Sequence, residues 1–320
     1  MFLFPEFCNG HRTNLILRVN FCDMINLQEY IQQSPFSKKI AVDELLFAEF
    51  TCPQDGKKTS VWWNDNFFSH VLTGTTVLKT PRGEYVLKAG DSAFARKGSL
   101  IGYNHTYEDF CELLIFVPDN FIKMVAQKYS MPFLIGPVND PADTVIPLIS
   151  DNILTAYFQS LLTHFVQPTP PASMLLKLKF EELLLNILSN NIHTPVNRYF
   201  FEVCRTAKPS IREIMELNFF SNLSLDEFAR LCSRSLSTFK REFMQIYNAS
   251  PGKWLMEKRL EYSRYLLKTT ELSIDEIRLE SGFENRTHFI RVFKNRFGVT
   301  PGKQKKAKRS VVEESYTRAY

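Results

Sequence analysis

At 320 residues the chain is longer than one domain of ordinary size, and two domains are expected. Its 44% hydrophobic and 23% charged residues are typical of a globular protein and exclude a fibre or a largely disordered chain. Residues 205–320 carry 23 Lys and Arg against 14 Asp and Glu, whereas residues 1–204 carry 16 against 20. A basic C-terminal part beside an acidic one favours a DNA-binding domain joined to a second domain, although a solvated basic face would give the same charge.

No targeting segment is expected at the N-terminus. No run approaches the roughly 18 apolar residues of a membrane-spanning helix, and MFLFPEF lacks the basic residues of a signal peptide, so a cytoplasmic protein with no membrane partner is expected. Residues 1–23 fit the rest poorly, and Met24 begins a sequence that reads as a natural start, so we predict an N-terminal extension over 1–23. The six cysteines form no C-x-x-C pair, which argues against a disulfide framework and a zinc site.

Residues 24–190 are predicted to form an α+β domain. Short stretches rich in β-branched and aromatic residues, broken by glycine-containing turns, fill residues 41–117 and predict a β-sandwich or barrel. Helical periodicity follows at 121–129, 151–166 and 173–190. The broad apolar face of the third helix suits either the domain core or the seam of a homodimer.

The next domain boundaries are predicted from prolines and from helical periodicity. Residues 190–210 have a proline near each end and no clear periodicity, so we predict a linker at 191–208. Beyond it the sequence is helical, and we predict an all-α domain over 209–309 followed by a tail at 310–320.

An internal repeat occupies this second domain. Residues 223–253 and 272–303 share the pattern L-S-x-D-E followed by F-x-R-x-F and P-G-K. The offset is 49 residues at the start and 50 from Phe239 and Phe289 onward, so one residue is inserted in the turn of the second copy. In each copy a serine N-cap with two acids after it predicts a short helix.

Each copy predicts a helix-turn-helix unit. The first helix ends near Ser233 or at Gly282, where glycine can take the left-handed conformation that closes a helix, and the second opens near Ser235 or Asn285. Each second helix has two phenylalanines four residues apart, which share one buried face: Phe239 and Phe243, and Phe289 and Phe293.

The opposite faces of these second helices carry short hydroxyls and arginines: Ser237, Arg241 and Gln245 in the first copy, and Thr287 and Arg291 in the second. Such side chains suit the major groove of DNA. Any amphipathic surface helix would look similar, but the repetition favours DNA binding.

A single helix is predicted to join the two units. Ser250 as N-cap and Pro251 at the first helical position begin it, and it runs toward Lys268. About eighteen residues span roughly 27 Å, comparable with the roughly 34 Å between successive major grooves on one DNA face. One chain is therefore expected to read two adjacent groove segments.

These residues resemble the AraC/XylS regulators, whose signature stands here as Arg259-Leu260, Leu266-Leu267, Gly282-Phe283, Arg291 to Lys294 and Thr300-Pro301. The resemblance covers about residues 211–303. It implies a transcriptional regulator that binds double-stranded DNA, with RNA polymerase as a partner, no catalytic residues and no cofactor. It also implies these groove-facing residues: Leu236, Ser237, Thr238, Lys240 and Arg241 in the first copy, and Arg286, Thr287, His288, Ile290 and Arg291 in the second.

The chain departs from the family pattern at two positions. Arg278 replaces a small alanine that the first copy keeps as Ala229, and Gln304 stands where an aromatic residue often follows. Because a buried unpaired charge is costly, we predict that the Arg278 guanidinium lies in water.

The first domain is similar to the cupin-like sensor of these regulators, through GDSAFARKGS at Gly90 to Ser99. A metal-binding cupin needs a His-x-His pair, a glutamate and a further histidine, whereas the strands offer only His70 and His105. No metal site is predicted, and the sequence indicates no ligand-binding residue or effector.

Two further functions stay open at this point. The first is a cupin-type enzyme fused to a DNA-binding tail, although no G-x-S-x-G, P-loop or glycine-rich dinucleotide turn is present. The second is a regulator whose sensor half binds a protein partner instead of a small molecule.

Overall fold

The computed structural model describes residues 24–34, 37–52, 59–105, 110–129, 143–167, 171–189, 194–206 and 208–305. The chain divides into two units, Met1–Pro209 and Ser210–Tyr320. The predicted N-terminal extension (1–23) and C-terminal tail (310–320) lie outside the described residues.

All the strands among the described residues lie in the first unit. They are β1 (Ile25–Asn26), β2 (Lys38–Val42), β3 (Leu45–Cys52), β4 (Thr59–Trp63), β5 (Asn66–Thr73), β6 (Thr75–Thr80), β7 (Gly83–Lys88), β8 (Ser92–Ala95), β9 (Gly98–His105), β10 (Phe110–Val117) and β11 (Val145–Leu148). They form a six-stranded sheet in the order β11-β8-β5-β10-β3-β2 and a five-stranded sheet in the order β1-β4-β9-β6-β7.

Strand β10 shows how the layers are stacked. Its Leu114 and Phe116 pack in the core between the two sheets, whereas Leu113 and Ile115 pack against helices on the other face. A strand buried on both faces reads as a nearly continuous apolar run, as 110–117 does apart from Glu112. Among the described strands neither sheet closes on itself, so the structure has two open sheets and does not confirm the predicted cupin-like barrel.

The helices of the first unit are α1 (Leu27–Gln33), α2 (Asp119–Lys128), α3 (Asn152–Val166), α4 (Ser173–Ser189) and α5 (Thr194–Arg205). The three predicted helices correspond to α2, α3 and α4 and are confirmed within two residues at each end. Helices α2 to α5 cover the outer face of the six-stranded sheet.

Helix α5 occupies most of the segment predicted as a linker (191–208), and the structure differs from that prediction. Its Val196, Phe200 and Val203 lie on one face and are buried in the core of the first unit. Proline near its start is compatible with a helix, because the first turn has no partner for that backbone N–H. Residues 191–193 and 207 of this segment lie outside the described residues.

Polar contacts also anchor α5 to the sheet. The Tyr199 hydroxyl donates to Asn66 Oδ1 at 2.7 Å, and the Arg96 guanidinium carbon lies 4.4 Å from the centroid of the Tyr199 ring. These contacts make α5 part of the folded first unit.

Two buried titratable side chains lie on or beside the central strands. The Ser69 hydroxyl donates to Glu112 Oε2 at 2.6 Å, and burial raises the pKa of Glu112 to about 8. His70 Nδ1 lies 2.8 Å from Ser92 Oγ, its ring stacks on Phe158, and burial lowers the pKa of His70 to about 4.

We expect Glu112→Gln to stabilise the first unit at alkaline pH. Because folding raises the pKa of Glu112, its contribution to stability is fully present below about pH 4.5 and is lost as the pH rises through about 8. The variant should gain about 1–2 kcal/mol in free energy of unfolding at pH 8, and less at pH 5. Urea unfolding of a Trp254→Phe background, in which Trp62 and Trp63 report the first unit, measures this difference.

The acid side of the same profile supplies the control. The lowered pKa of His70 removes stability as the pH falls from 6.5 through about 4, and Glu112→Gln should keep that loss. A difference between wild type and variant that is the same at pH 5 and pH 8 would contradict the burial of an ionisable Glu112.

The second unit is helical. Its helices are α6 (Ile211–Asn218), α7 (Leu225–Leu231), α8 (Leu236–Tyr247), α9 (Pro251–Thr269), α10 (Ile274–Glu280) and α11 (Arg286–Phe297). The predicted joining helix is α9, which begins with Pro251 after Ser250 as expected. Across the described ranges of both units, no helix has both the length and the apolar character needed to cross a membrane.

Candidate nucleic-acid interface

The two copies of the repeat begin with the same capping geometry. The Glu227 amide donates to Ser224 Oγ at 3.2 Å, and the Ser224 amide donates to Glu227 Oε2 at 2.7 Å. Ser273 and Glu276 repeat both hydrogen bonds at the same two distances. These capping boxes satisfy backbone N–H groups that the first helical turn leaves without partners, and they confirm the N-caps predicted for α7 and α10.

The turns differ by one residue. Both reverse the chain through a positive φ, 53° at Ser233 and 77° at Gly282. One residue, Arg234, then precedes the N-cap of α8, whereas Phe283 and Glu284 both precede the N-cap of α11. The extra residue indicated by the repeat is therefore Glu284.

The phenylalanine pairs hold α8 and α11 in place. Phe239, Phe243, Phe289 and Phe293 are all fully buried. The two ring centroids of each pair are 5.7 Å apart. This confirms the predicted inner faces and fixes which faces of α8 and α11 are directed outward.

The predicted groove residues of α8 differ in exposure. Three of its five predicted groove residues are exposed and two are half-buried: Ser237, Lys240 and Arg241 in the first group, and Leu236 and Thr238 in the second. The Thr238 hydroxyl accepts from Ser235 Oγ at 3.0 Å, which ties it to the helix N-terminus. Two of the three exposed predicted groove residues of α8, Lys240 and Arg241, are thus cationic.

The predicted groove residues of α11 show the same division into exposed and half-buried side chains. Its exposed predicted residues are Arg286, Thr287 and Arg291, and its half-buried ones are His288 and Ile290. Arg286 Nη1 lies 3.3 Å from Asp275 Oδ2, but both side chains are about half exposed, and such surface ion pairs are weak. The His288 ring centroid lies 6.3 Å from that of Phe283, and Ile290 packs on the core of the second copy.

An arginine covers an aromatic ring behind each of these helices. The guanidinium carbon of Arg212, from α6, lies 5.4 Å from the Tyr247 ring centroid, and that of Arg264, from α9, lies 4.8 Å from the Phe297 ring centroid. Tyr247 and Phe297 are equivalent in the repeat. Helix α9 therefore packs in the second copy as α6 does in the first.

Arg278 does not lie in water as predicted. Its Nη1 donates to the carbonyl of Phe283 at 2.7 Å and also to that of Glu284, and Nε lies 3.4 Å from Asp275 Oδ1. Only 13% of the side chain is exposed. The arginine closes the longer second turn, where carbonyls past the end of α10 need donors.

Sequence reasoning left two lysines of the repeat without a role. Both lysines come from the repeated Pro-Gly-Lys and are exposed. Lys253 lies in the first turn of α9, which follows α8, and Lys303 lies in a short helical stretch at 301–305, which follows α11. Backbone N–H groups at the start of a helix attract phosphate, and an adjacent lysine adds charge. The sequence signal that could have identified these two lysines was the repetition of Pro-Gly-Lys in both copies.

Within the described ranges, no group of three or more His, Cys, Asp and Glu side chains is placed to hold a metal ion. His70 is stacked on Phe158, and the side chain of His105 lies outside the described residues.

Two protein families match the chain, one in each unit. The family described as ExsA N-terminal regulatory domain matches residues 66–199, and the helix-turn-helix domain family matches residues 228–307.

Full-length relatives match across both units. The thermoregulatory protein LcrF of Yersinia pestis is 30% identical over 241 residues, which cover 74% of this chain and 88% of LcrF. The transcriptional regulator ExsA of Pseudomonas aeruginosa is 26% identical over 263 residues, covering 78% and 93%. A crystal structure of ToxT from Vibrio cholerae is 15% identical with a TM-score of 0.36, covering 82% of this chain and 97% of that one.

The two matched families lie one in each unit of this chain, and the matches to LcrF and ExsA are long enough to extend across both units. The chain belongs to the AraC family of transcriptional regulators.

Proposed function

We propose that α8 and α11 enter two successive major grooves on one face of the same DNA duplex, so that one chain recognises two half-sites. The observation that carries this proposal is the duplication within one unit. Both helices turn a phenylalanine pair inward and exposed arginines outward, and the single helix α9, about 28 Å long over 19 residues, packs in both copies.

The exposed residues on the two helices are assigned different roles. Arg241 and Arg291 lie at equivalent positions of the repeat and are proposed to read bases, because arginine pairs well with guanine in the major groove. Ser237 and Thr287 are short hydroxyls that reach either bases or phosphates. Lys240, Arg286, Lys253 and Lys303 are proposed to contact phosphates, which position a protein on DNA without reading sequence.

The half-buried predicted residues have a supporting role in this proposal. Leu236, Thr238, His288 and Ile290 hold the two helices to their units and bring only their edges to the DNA. Their replacement would then change the orientation of α8 or α11 more than it would remove a contact.

We propose that DNA binding by this chain activates transcription through RNA polymerase. A relative from Yersinia enterocolitica, 29% identical over 241 residues, is named as a virulence regulon transcriptional activator. The regulatory first unit would control this step in the cytoplasm, where the DNA lies. A small effector and a protein partner both stay open, and we propose no catalytic reaction and no cofactor.

The outer side of α4 is proposed as the surface of the first unit that binds a second copy or a partner protein. Met174, Leu175 and Leu178 are 72%, 40% and 50% exposed and lie within one helical turn. Exposed apolar groups gathered in this way are more often found at interfaces than on isolated surfaces. The cupin-like nature of the sheets beneath, suggested by Gly90 to Ser99, stays a prediction.

The test of two-groove binding uses residues 209–309 as a fragment. We expect this fragment to fold alone and to select, from a random pool, duplexes with two half-patterns about ten base pairs apart. Its affinity should fall linearly with the logarithm of salt concentration, with a slope of about −0.9 for each phosphate neutralised.

Residues 24–206 supply the matched control and should not retain the selected duplex. A folded fragment 209–309 that shows no salt-dependent binding to DNA would contradict DNA recognition by this unit. Selection of a single half-pattern would contradict the two-groove arrangement alone.

A further inference from the structure

The two helix-turn-helix units meet at a junction formed by residues 219–222, Arg259, Gly282 and Glu284. At Gly282 the second copy closely approaches the loop that follows α6, because an added Cβ would lie 2.3 Å from the backbone oxygen of Phe220. No side chain fits in that space. The turn of the second copy therefore rests directly on the backbone of the loop that follows α6.

Arg259 of α9 binds the same loop beside Gly282, whose added Cβ would lie 3.0 Å from Arg259 Nε. Its Nε donates to the carbonyl of Phe219 at 2.7 Å, and its Nη2 donates to the carbonyl of Ser221 at 2.6 Å. Burial lowers the pKa of Arg259 to about 10, which leaves the guanidinium charged at neutral pH. Two parallel donors on a planar group fix the direction of the loop, and a single ammonium cannot reproduce that geometry.

The extra residue of the second turn completes the junction. Glu284 has no counterpart in the first copy, and its Oε1 accepts a hydrogen bond from Asn222 Nδ2. The equivalent turn of the first copy, at Ser233, is exposed and carries a side chain. The glycine and the inserted glutamate thus occur only in the copy whose turn faces its neighbour.

We infer that this junction fixes the separation and angle of α8 and α11, and thereby sets the half-site spacing that the protein accepts on DNA. The inference rests on the proposed binding to two grooves. Two binding modules joined rigidly gain affinity only at the spacing that matches their geometry, whereas a flexible joint tolerates neighbouring spacings. Arg259, Gly282 and Glu284 are positioning residues in this view and need not touch DNA.

The experiment uses the full-length protein and the duplex that the wild type selects. Four further duplexes change the distance between the half-sites by one or two base pairs in each direction. Each base pair rotates one half-site by about 35° about the DNA axis relative to the other. The wild type should lose about tenfold or more in affinity for a change of one base pair.

Arg259→Lys tests the junction while retaining the positive charge. We expect it to bind the best duplex about tenfold more weakly and to distinguish the five spacings by less than about threefold. Asn222→Ala combined with Glu284→Ala, at exposed positions, should flatten the spacing profile in the same direction. Arg230→Ala, which breaks an exposed ion pair with Asp226 in α7, is the control and should keep the wild-type profile.

Thermal unfolding identifies any variant that fails to fold. If Arg259→Lys does not fold, the spacing profile of the double variant at Asn222 and Glu284, whose positions are exposed, decides the question. Folded variants that bind with the spacing profile of the wild type would overturn the inference. Selection of only one half-site by the wild type would instead show that the proposed two-groove binding is wrong, and the inference would fall with it. A general loss of affinity at all five spacings, with their ratios unchanged, would reduce the junction to a purely structural role.

Discussion

Gly282→Ala is expected to lower the free energy of unfolding of the DNA-binding unit by about 3 kcal/mol or more. Two causes add at this position. Its φ of +77° is strained for any residue with a Cβ, and that Cβ would lie 2.3 Å from the Phe220 oxygen and 3.0 Å from Arg259 Nε. Backbone and arginine must both move, because a carbonyl oxygen held by its own chain cannot yield as a flexible side chain does.

Gly298 is the matched control because it separates these two causes. It closes α11 with nearly the same φ, +76°, but nothing lies within 4 Å of its added Cβ. Gly298→Ala should therefore cost only the conformational strain, about 1 kcal/mol. Urea unfolding of the 209–309 fragment, followed by its single Trp254, compares the two. Equal losses for both variants would show that the close approach to Phe220 contributes nothing to stability.

The helix-turn-helix elements were predictable because their signals are local. A serine followed by two acids, a phenylalanine pair at i and i+4, and Ser-Pro before α9 each act within one or two helical turns. Duplication then gave every signal twice. The same locality explains why the bounds of α2, α3 and α4 came out within two residues.

The junction was not predictable from the sequence because its contacts join distant residues. Gly282 was explained by the closure of α10, which is correct but incomplete, since Ser233 closes α7 with a positive φ and no glycine. A glycine is required at position 282 because the backbone of Phe220, 62 positions earlier in the chain, occupies the space that a Cβ would need. The one sequence signal was the inserted residue, and it indicated a longer turn without indicating a partner for Glu284.

Two other differences have simple physical origins. Arg278 was expected in water because an unpaired buried charge is costly, yet two carbonyls after the end of α10 and the Asp275 carboxylate at its start accept hydrogen bonds from it. Helix α5 was hidden by prolines at both ends of its segment, although its Val196, Phe200 and Val203 follow a helical period. In both cases the missing information was which neighbour the side chain would meet.

Arg241→Ala and Arg291→Ala are each expected to weaken binding to the selected duplex by about 1–3 kcal/mol, with the base preference relaxed at a different half-site for each. Both side chains are exposed on the face opposite a buried phenylalanine pair, at equivalent positions of the repeat. If both helices enter major grooves on one DNA face, the two relaxed positions should lie about ten base pairs apart.

Base reading and phosphate contact make different predictions for these two arginines, and a library of all single-base variants of the selected duplex separates them. If the arginine forms a bidentate pair with guanine, the alanine variant should lose base preference at only one or two positions of the duplex, because only there does it lose a hydrogen-bond partner. A phosphate contact gives the same loss on every sequence and lowers the salt slope by about one. Arg296→Ala is the matched control: it removes the same charge from α11, but Arg296 Nε is held by Glu257 of α9 at 2.7 Å. The base preferences of Arg296→Ala should equal those of the wild type. If Arg241→Ala and Arg291→Ala both lose the same affinity on every sequence, base reading by these arginines is excluded, while DNA binding by α8 and α11 still stands.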